Sequence, residues 1–432
     1  MAGATALAAG GLPIDAQTNA EGAFVMPPPK AITGGVKPLM MGHTARPLRY
    51  RPVDGDFVIR NGGEFFNRPL YGQNINFRVD AGDLPEFSFY LPGHGGNLKV
   101  GIASASGSKW LSQAAEVVAR YRPGRMIYEI RDPLLGSGSL GVEALTTGTG
   151  PGFMLRVETR DVPASVSLTW AFGGVSGRKG NRNGDIGCEN EPVSKFFQVR
   201  AEECSDNRFT IGGNSALLNS PSADMRLVFP VGSLLRVADF SEWSEPRARS
   251  AAGLSILTGS VKLNSTPLLL TIQHLRGNAA IDWDARSKEV SQIAGTLKVA
   301  TDDPWIDATG AALSIAADAL WDAEQQCVMH GCVAWRGALA GWRGPYCLAS
   351  LGNHERLRQQ IRHWVKKQNV TPVSDAHSPV TGTPDPTSHL ARKEGVLHQN
   401  GDISGNHYDM NMVFFDVFLR YLRWSGDIEF AR

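Results

Sequence analysis

The spacing of apolar residues changes near residue 300, and this change constrains the fold more than any other feature of the chain. Over residues 56–299 apolar and polar residues alternate in short runs, for example at 166–172. A period of two is typical of strands that bury one face. Such runs, separated by Gly-, Asn-, Asp- and Pro-rich turns, predict an antiparallel β-sandwich or supersandwich over residues 51–300. The best candidate for a helix within this region is 110–121.

After Gly310 the apolar period becomes 3.6, which predicts helices near 311–330, 346–369 and 408–424. The segment TDDPWIDATG at 301–310 contains a strand-breaking Asp-Pro pair, and we expect it to link the two domains. Residues 311–432 would then form the helical domain. A second face of the last helix is also apolar, so we expect this helix to be enclosed on more than one side.

The first 50 residues are predicted to be a signal remnant followed by an irregular leader. Ala- and Gly-rich residues lead to Ile14-Asp15-Ala16, which resembles a signal-peptidase site, but the basic residues that open a signal peptide do not precede it. Two interpretations stay open. One is a signal that has lost its front, with export to the periplasm or the exterior; the other is a disordered cytosolic N-terminus.

Composition argues against several classes of partner. The 43 basic and 42 acidic residues are well mixed and leave a formal net charge of +1, so no basic stripe indicates nucleic-acid binding. Apolar runs are too short to predict a membrane span. We therefore expect neither nucleic acid nor a membrane span.

The cysteines and histidines predict no metal site. Cys188 and Cys204 could pair across a hairpin if the protein is exported. The other three cysteines, at 327, 332 and 347, are interpreted as small buried residues. No HExxH motif occurs, and His354 and His363 are nine positions apart, too far to share a ligand set. We expect no metal and no organic cofactor.

A turn rich in Gly, Trp and Arg, here named the Trp/Arg turn (residues 335–346), lies between the first two predicted helices. Indole faces stack on the apolar side of a pyranose ring, and guanidinium groups bind its hydroxyls or a carboxylate. We therefore predict that the turn forms the wall of a carbohydrate site. The predicted substrate-binding residues are Trp335, Arg336, Trp342, Arg343 and Tyr346. Core packing is the alternative for the two Trp residues.

A polar segment, here named the polar loop (residues 398–411), precedes the third predicted helix with the sequence HQNGDISGNHYDMN. Carboxyl groups can act as a general acid and a general base, and Asp402 and Asp409 are the best candidates for these two roles. The residues predicted to bind the sugar here are His398, Asn400, His407 and Asn411. The alternatives are a turn residue for Asp402 and a helix cap for Asp409.

Several of these strings resemble the six-hairpin glycosidases, the (α/α)6-barrel glycoside hydrolases that include α-L-rhamnosidase-like and glucoamylase-like enzymes. The turn WRGPY at 342–346 lies where those enzymes have a Trp/Arg substrate-binding loop. The run YDMN at 408–411 opens a later helix, and YLRWSGD at 421–427 is similar to a recurrent helix end of such barrels. The strings FFNRPLYG at 65–72 and AGDLPEFSFYLPG at 81–93 look like the β domain that precedes the barrel in an uncharacterised bacterial branch.

The resemblance implies a β-sandwich followed by the first helical hairpins of an (α/α)6 barrel. Three or four helices fit after Gly310, whereas the barrel has twelve, so we expect the chain to be C-terminally truncated, with part of the active site beyond residue 432. The implied function is a glycoside hydrolase that acts on a plant or microbial polysaccharide. Two alternatives stay open: a polysaccharide lyase on a similar barrel, and a non-catalytic carbohydrate-binding protein.

Overall fold

The structure, a computed structural model, describes residues 49–367 and 410–432 except for 64–66, 73, 180–192, 245, 247–253, 277–280, 335 and 342; before residue 49 it describes four short strands. The chain divides into two compact units, Met1–Leu48 and Arg49–Arg432. In the first unit β1 (Gln17–Thr18) pairs with β2 (Phe24–Val25), and β3 (Leu39–Met41) pairs with β4 (Thr44–Arg46), both antiparallel. The leader thus contains short antiparallel pairs as well as segments that fall outside the described residues.

The β-rich part of the second unit consists of β5 to β22. These strands are β5 (Arg51–Val53), β6 (Asp56–Arg60), β7 (Asn67–Tyr71), β8 (Arg78–Gly82), β9 (Glu86–Tyr90), β10 (His94–Ser104), β11 (Gly107–Trp110), β12 (Glu116–Arg122), β13 (Arg125–Arg131), β14 (Ser139–Thr146), β15 (Gly152–Arg160), β16 (Ser167–Val175), β17 (Arg208–Gly212), β18 (Ser215–Asn219), β19 (Met225–Val228), β20 (Leu234–Asp239), β21 (Ser255–Lys262) and β22 (Leu268–His274).

These strands form two antiparallel sheets. The eight-stranded sheet has the order β20-β21-β16-β10-β9-β8-β7, with β11 paired to β10, and the ten-stranded sheet has the order β17-β18-β19-β22-β15-β14-β13-β12-β6-β5. Phe153 of the larger sheet packs against Phe87 and Phe89 of the smaller one, with ring centroids 5.2 Å apart in both pairs. The two sheets therefore enclose a common aromatic core, and the predicted antiparallel β architecture is confirmed.

The helices of the second unit follow the strands. They are α1 (Trp283–Ala294), α2 (Pro304–Ala319), α3 (Arg343–Ser350), α4 (His354–Val365), α5 (Met410–Ser425) and α6 (Ile428–Ala431), with the short strands β23 (Trp321–Asp322) and β24 (Cys327–Val328) between α2 and α3. Within the described residues, no helix combines the length and the apolar character that crossing a membrane requires.

The first two helices pack on the outer face of the ten-stranded sheet. Leu145 and Met154 of the sheet form a buried cluster with Val290 of α1 and Ile315 of α2. Gly124, in the turn before β13, has a φ of +84°, and a Cβ there would lie 2.4 Å from Val290. The bare backbone at Gly124 therefore lets α1 approach the sheet closely.

Two expectations about the β-rich part are wrong. Residues 110–121 form no α-helix. β11 ends at Trp110, a single 3₁₀ turn spans Leu111–Gln113, and β12 buries Val117, Ala119 and Tyr121 in alternation between β6 and β13. Cross-strand pairing on both sides overrides any helical tendency of this segment. The prediction also omitted α1, whose buried residues are limited to Arg286 and Val290, too narrow a stripe to produce a clear 3.6 period.

The expected linker at 301–310 is also wrong, because α2 begins inside it. Asp303 caps the helix by accepting a hydrogen bond from the Trp305 amide at 2.8 Å, and Pro304 occupies the first turn. Proline is favoured there because its missing N–H has no partner in a helix anyway. The Asp-Pro pair therefore starts a helix and ends no strand, since β22 ends at His274 and α1 lies between β22 and α2.

The first predicted helix ends earlier than expected, at Ala319 rather than near residue 330. Trp321 and Asp322 pair instead with Val328 and Cys327 in the β23–β24 hairpin. The second predicted helix is divided into α3 and α4 by residues 351–353. The break between α3 and α4 coincides with Gly352, whose φ is +70°.

The third predicted helix is confirmed by α5. It ends before Gly426, whose φ is +69°, and Asp427 then caps α6 by accepting from the Phe430 amide at 3.2 Å. The expectation that α5 is enclosed on more than one side is wrong for the described part of the chain. Phe415 and Leu419 are 59% and 51% exposed, whereas Tyr421 on the opposite face is buried.

Candidate functional site

The Trp/Arg turn belongs to a core shared by the β23–β24 hairpin and three helices. Val328 and Leu339 pack with Leu357 and Trp364 of α4 and with Val417 of α5 in one buried cluster. The backbone of the turn is joined to β24, since Leu339 N–H donates to the Val328 carbonyl at 2.9 Å. The turn is therefore anchored on rigid elements, as a binding site requires.

Gln360 of α4 fixes the segments that lead into the turn. Its side chain is completely buried; its Oε1 accepts from the Val328 amide at 2.7 Å, and its Nε2 donates to the Leu339 carbonyl at 2.6 Å. One amide group thus joins β24 to the Trp/Arg turn. Sequence reasoning missed this residue, although a Gln on the apolar face that contains Leu357 and Ile361 is a visible signal of a buried polar role.

Two glycines of the turn allow close packing. A Cβ at Gly341 would lie 2.6 Å from both the Cβ and the carbonyl oxygen of Val413 in α5. A Cβ at Gly344 would lie 2.3 Å from a methyl group of Val328. The turn is therefore held directly against the first part of α5, the helix that the polar loop precedes.

Tyr346 contacts α5 further along the same helix. The Arg420 guanidinium carbon lies 4.3 Å from the centre of the Tyr346 ring, and Arg420 pairs with Asp416 at 2.9 Å. A hydrogen bond from Tyr346, followed by those from Arg420, holds the pKa of Asp416 below its ordinary value. This exposed carboxylate therefore stays ionised at neutral pH and is unsuited to act as an acid.

Arg336 does not have the predicted substrate-binding geometry. Its side chain is 4% exposed and forms an ion pair with Asp322 at 3.0 Å. The remaining donors reach the carbonyl groups of Ala319, Trp321 and Cys332. All five guanidinium N–H groups are used within the chain, so none is left for a sugar. The prediction of a substrate role for Arg336 is corrected to a structural one.

Most other predicted site residues lie outside the described part of the chain. For Arg343 and Asn411 the structure describes the backbone alone. The residues that it does not describe are Trp335, Trp342, His398, Asn400, Asp402, His407 and Asp409. The roles assigned to these nine residues stay predictions.

The cysteines of the described part are free thiols. Burial raises the pKa of Cys204 to about 12 and that of Cys327 to about 11, so both stay protonated at neutral pH. Cys204 forms no disulfide, and its proposed partner Cys188 lies outside the described residues. The described residues contain no group of three or more His, Cys, Asp or Glu side chains placed to hold a metal ion.

Comparison with known proteins gives a structural neighbour and a family. A bacterial glucoamylase, solved in complex with acarbose, matches with a TM-score of 0.47 and 10% sequence identity, over 84% of this chain and 57% of the glucoamylase. The chain thus spans little more than half the length of that enzyme. No curated protein matches. The model of a family described as a domain of unknown function (DUF4450) matches residues 91–309, slightly more than half of the sequence. The chain therefore belongs to the DUF4450 family.

Proposed function

We propose that this chain carries part of a glycoside hydrolase that acts on a plant or microbial polysaccharide by carboxylate acid/base catalysis. The observation that supports the proposal is the close packing of Gly341 against Val413. In the sequence, Trp342 and Arg343 follow Gly341 directly, and Asp409 lies four positions before Val413. On this basis we propose that the aromatic, guanidinium and carboxyl groups meet at one end of the helices.

The proposed chemistry assigns a role to each group. Trp342 stacks on the sugar ring, and Arg343 binds its hydroxyls or a carboxylate. Asp402 and Asp409 act as the acid and the base on either side of the glycosidic bond. The carboxyl group nearer to Arg343 serves as the base, because a neighbouring positive charge favours a carboxylate.

The proposed architecture is the beginning of an (α/α)6 barrel of the six-hairpin type, with the β-sandwich in front of it. We also propose that the protein works in the periplasm or outside the cell, where polysaccharide substrates occur.

The test compares single substitutions with matched controls in the full chain. Asp402→Asn, Asp409→Asn and Arg343→Lys should each lower the release of reducing sugar from a panel of plant and microbial polysaccharides by about 100-fold or more. Asp302→Asn and Arg423→Lys change exposed residues of the same types and should leave the rate unchanged.

Three outcomes distinguish the candidate functions. Unaltered kinetics in all three site variants would refute the site assignment. Unsaturated products, detected by their ultraviolet absorbance, would identify a lyase that removes a proton from a uronate. Binding of polysaccharide without any turnover would identify a non-catalytic carbohydrate-binding protein.

A further inference from the structure

A polar cleft lies on the β-sandwich, on the outer face of the eight-stranded sheet. Phe172 of β16 packs inside the sandwich against Phe89, with ring centroids 5.7 Å apart. Side chains alternate along a strand, so Thr169 and Ala171 of β16 face outward. This outer face is the floor of the cleft.

The strand register places two rows of side chains across this floor. The first row runs from Trp110 across Gly101, Thr169 and Ser260 to Leu234. The second row runs from Lys99 across Ala171 and Thr258 to Arg236. Hydroxyl groups of two adjacent strands, β16 and β21, thereby lie close together near one edge of the sheet.

A cleft of about 230 Å³ lies above these rows. Its lining includes Trp110, Thr169, Thr258, Ser260, Arg236 and Glu242. A side chain at Gly101 would enter this region, because its Cβ would lie 2.8 Å from Thr169 Oγ1 and 2.9 Å from the Trp110 ring. Gly101 thus lets the Trp110 indole and the Thr169 hydroxyl pack closely over its backbone.

Two hydroxyl groups of the floor are buried without a hydrogen-bond partner among the described residues. They are Oγ1 of Thr169 and Oγ1 of Thr258, whose residues are 6% and 7% exposed. Buried hydroxyl groups are normally paired, and leaving one unpaired lowers stability. Two such groups on the floor of one cleft therefore indicate that a polar ligand supplies the missing partners.

The cleft carries no net charge. Arg236 faces Glu242 in a two-point ion pair, with Nη1 2.6 Å from Oε1, and the Glu242 side chain is 5% exposed. Lys99 of the second row is already bound to Gln198 at 2.9 Å and lies beside Trp243. A charged ligand would have to break the ion pair between Arg236 and Glu242 in order to bind either group. The cleft therefore favours a neutral ligand.

We propose that this cleft binds one neutral pyranose ring of a carbohydrate. Such a ring presents hydroxyl groups to Thr169, Thr258 and Ser260 and C–H groups to the apolar part of the lining, which includes Trp110 and Leu234. The volume is below the roughly 300–1,000 Å³ of pockets for larger ligands and suits one ring. The proposal does not rest on the proposed catalytic function, because no residue of the cleft belongs to the Trp/Arg turn or the polar loop.

The experiment uses the full chain with its Thr methyl groups labelled for NMR. The signals of residues 169 and 258 are identified by their loss in the Thr169→Val and Thr258→Val variants. Titration with methyl β-D-glucopyranoside and methyl β-D-galactopyranoside should shift both signals in a saturable way with at least one of the sugars. Glucuronate and inorganic phosphate should leave both signals unchanged.

The variants provide a second measurement. Thr258→Val removes one hydroxyl and keeps the shape, so the sugar affinity reported by the Thr169 signal should fall about five- to tenfold. Its Tm should stay the same or rise, because the lost hydroxyl had no protein partner. Thr210→Val, on the exposed face of β17, should change neither quantity. Unchanged signals with both sugars, equal shifts with phosphate, or a lower Tm in both cleft variants would overturn the proposal.

Discussion

Replacing Gly341 with Ala inserts a methyl group between the Trp/Arg turn and α5. The new Cβ would lie 2.6 Å from the Cβ and the carbonyl oxygen of Val413, whereas ordinary contacts begin at 3.4 Å, so the two segments must separate by about 1 Å. Overpacking of this kind costs about 1–3 kcal/mol. A displacement of about 1 Å at a catalytic site can also lower the rate by about 100-fold.

The assay is urea unfolding followed by Trp fluorescence, together with the polysaccharide assay. Gly337→Ala is the matched control, since it lies in the same turn and a Cβ there has no atom within 4 Å. We expect Gly341→Ala to lower both the free energy of unfolding and the rate of polysaccharide hydrolysis. Gly337→Ala should keep the free energy of unfolding within about 0.5 kcal/mol of the original value and leave the rate unchanged. If the two variants unfold at the same urea concentration and work equally fast, the turn does not contact α5, and the support for the proposed function is lost.

Two further predictions concern buried charges. Burial raises the pKa of Asp83 from 3.8 to about 6, despite a hydrogen bond from Tyr50 and the charge of Arg68. The folded protein therefore holds the Asp83 proton more tightly than the unfolded chain does. The protonated Asp83 contributes its full stability below about pH 4. This contribution, about 3 kcal/mol, is lost as the pH rises through 6. Asp83→Asn should remove this decline from a plot of Tm against pH, and parallel curves for the two proteins would contradict the argument. Arg336→Met leaves the Asp322 carboxylate unpaired in a buried position and should lower the free energy of unfolding by about 3–5 kcal/mol, while Arg423→Met, on the surface, should not. A variant Arg336→Met of normal stability with a raised KM would instead indicate a sugar contact.

The strands were the most predictable part of this protein. In β12, Val117, Ala119 and Tyr121 alternate with half-buried residues, and this is the pattern that one buried face requires. The same segment was nevertheless predicted to be helical, because a short amphipathic run satisfies both periods when the partner strands are unknown. Pairing with β6 and β13 decides the matter, and those partners are distant in sequence.

Helix boundaries depended on local chemistry that the sequence contains but that permits two interpretations. In the sequence, Asp303-Pro304 can indicate either the end of a strand or the start of a helix. The hydrogen bond from the Trp305 amide to Asp303 identifies it as a helix start. Gly426 and Asp427 are less ambiguous: a glycine followed by a capping Asp predicts a stop and a new start, and both are observed.

The sequence indicated how the Trp/Arg turn packs, whereas the sugar-binding role of this turn stays a prediction. The cluster of Gly, Trp and Arg residues correctly indicated a tightly packed turn. Arg336 was nevertheless assigned to a sugar because its partners, Asp322 and three carbonyl groups, come into reach only once the β23–β24 hairpin forms. A guanidinium group has the same five donors whether it binds a ligand or acceptor groups of its own chain, so sequence alone does not separate the two roles.

The sequence by itself determined the two classes of secondary structure, the antiparallel β region and the turn that precedes α3, because periodicity and capping act over a few residues. The tertiary structure alone decided which buried polar groups are paired. Gln360 meets Val328 and Leu339, Gly341 meets Val413, and Thr169 and Thr258 share one cleft, because chain segments far apart in sequence converge in space. Burial and pairing of a polar group depend on such distant neighbours, and these contacts decide which side chains support the fold and which remain to bind a ligand.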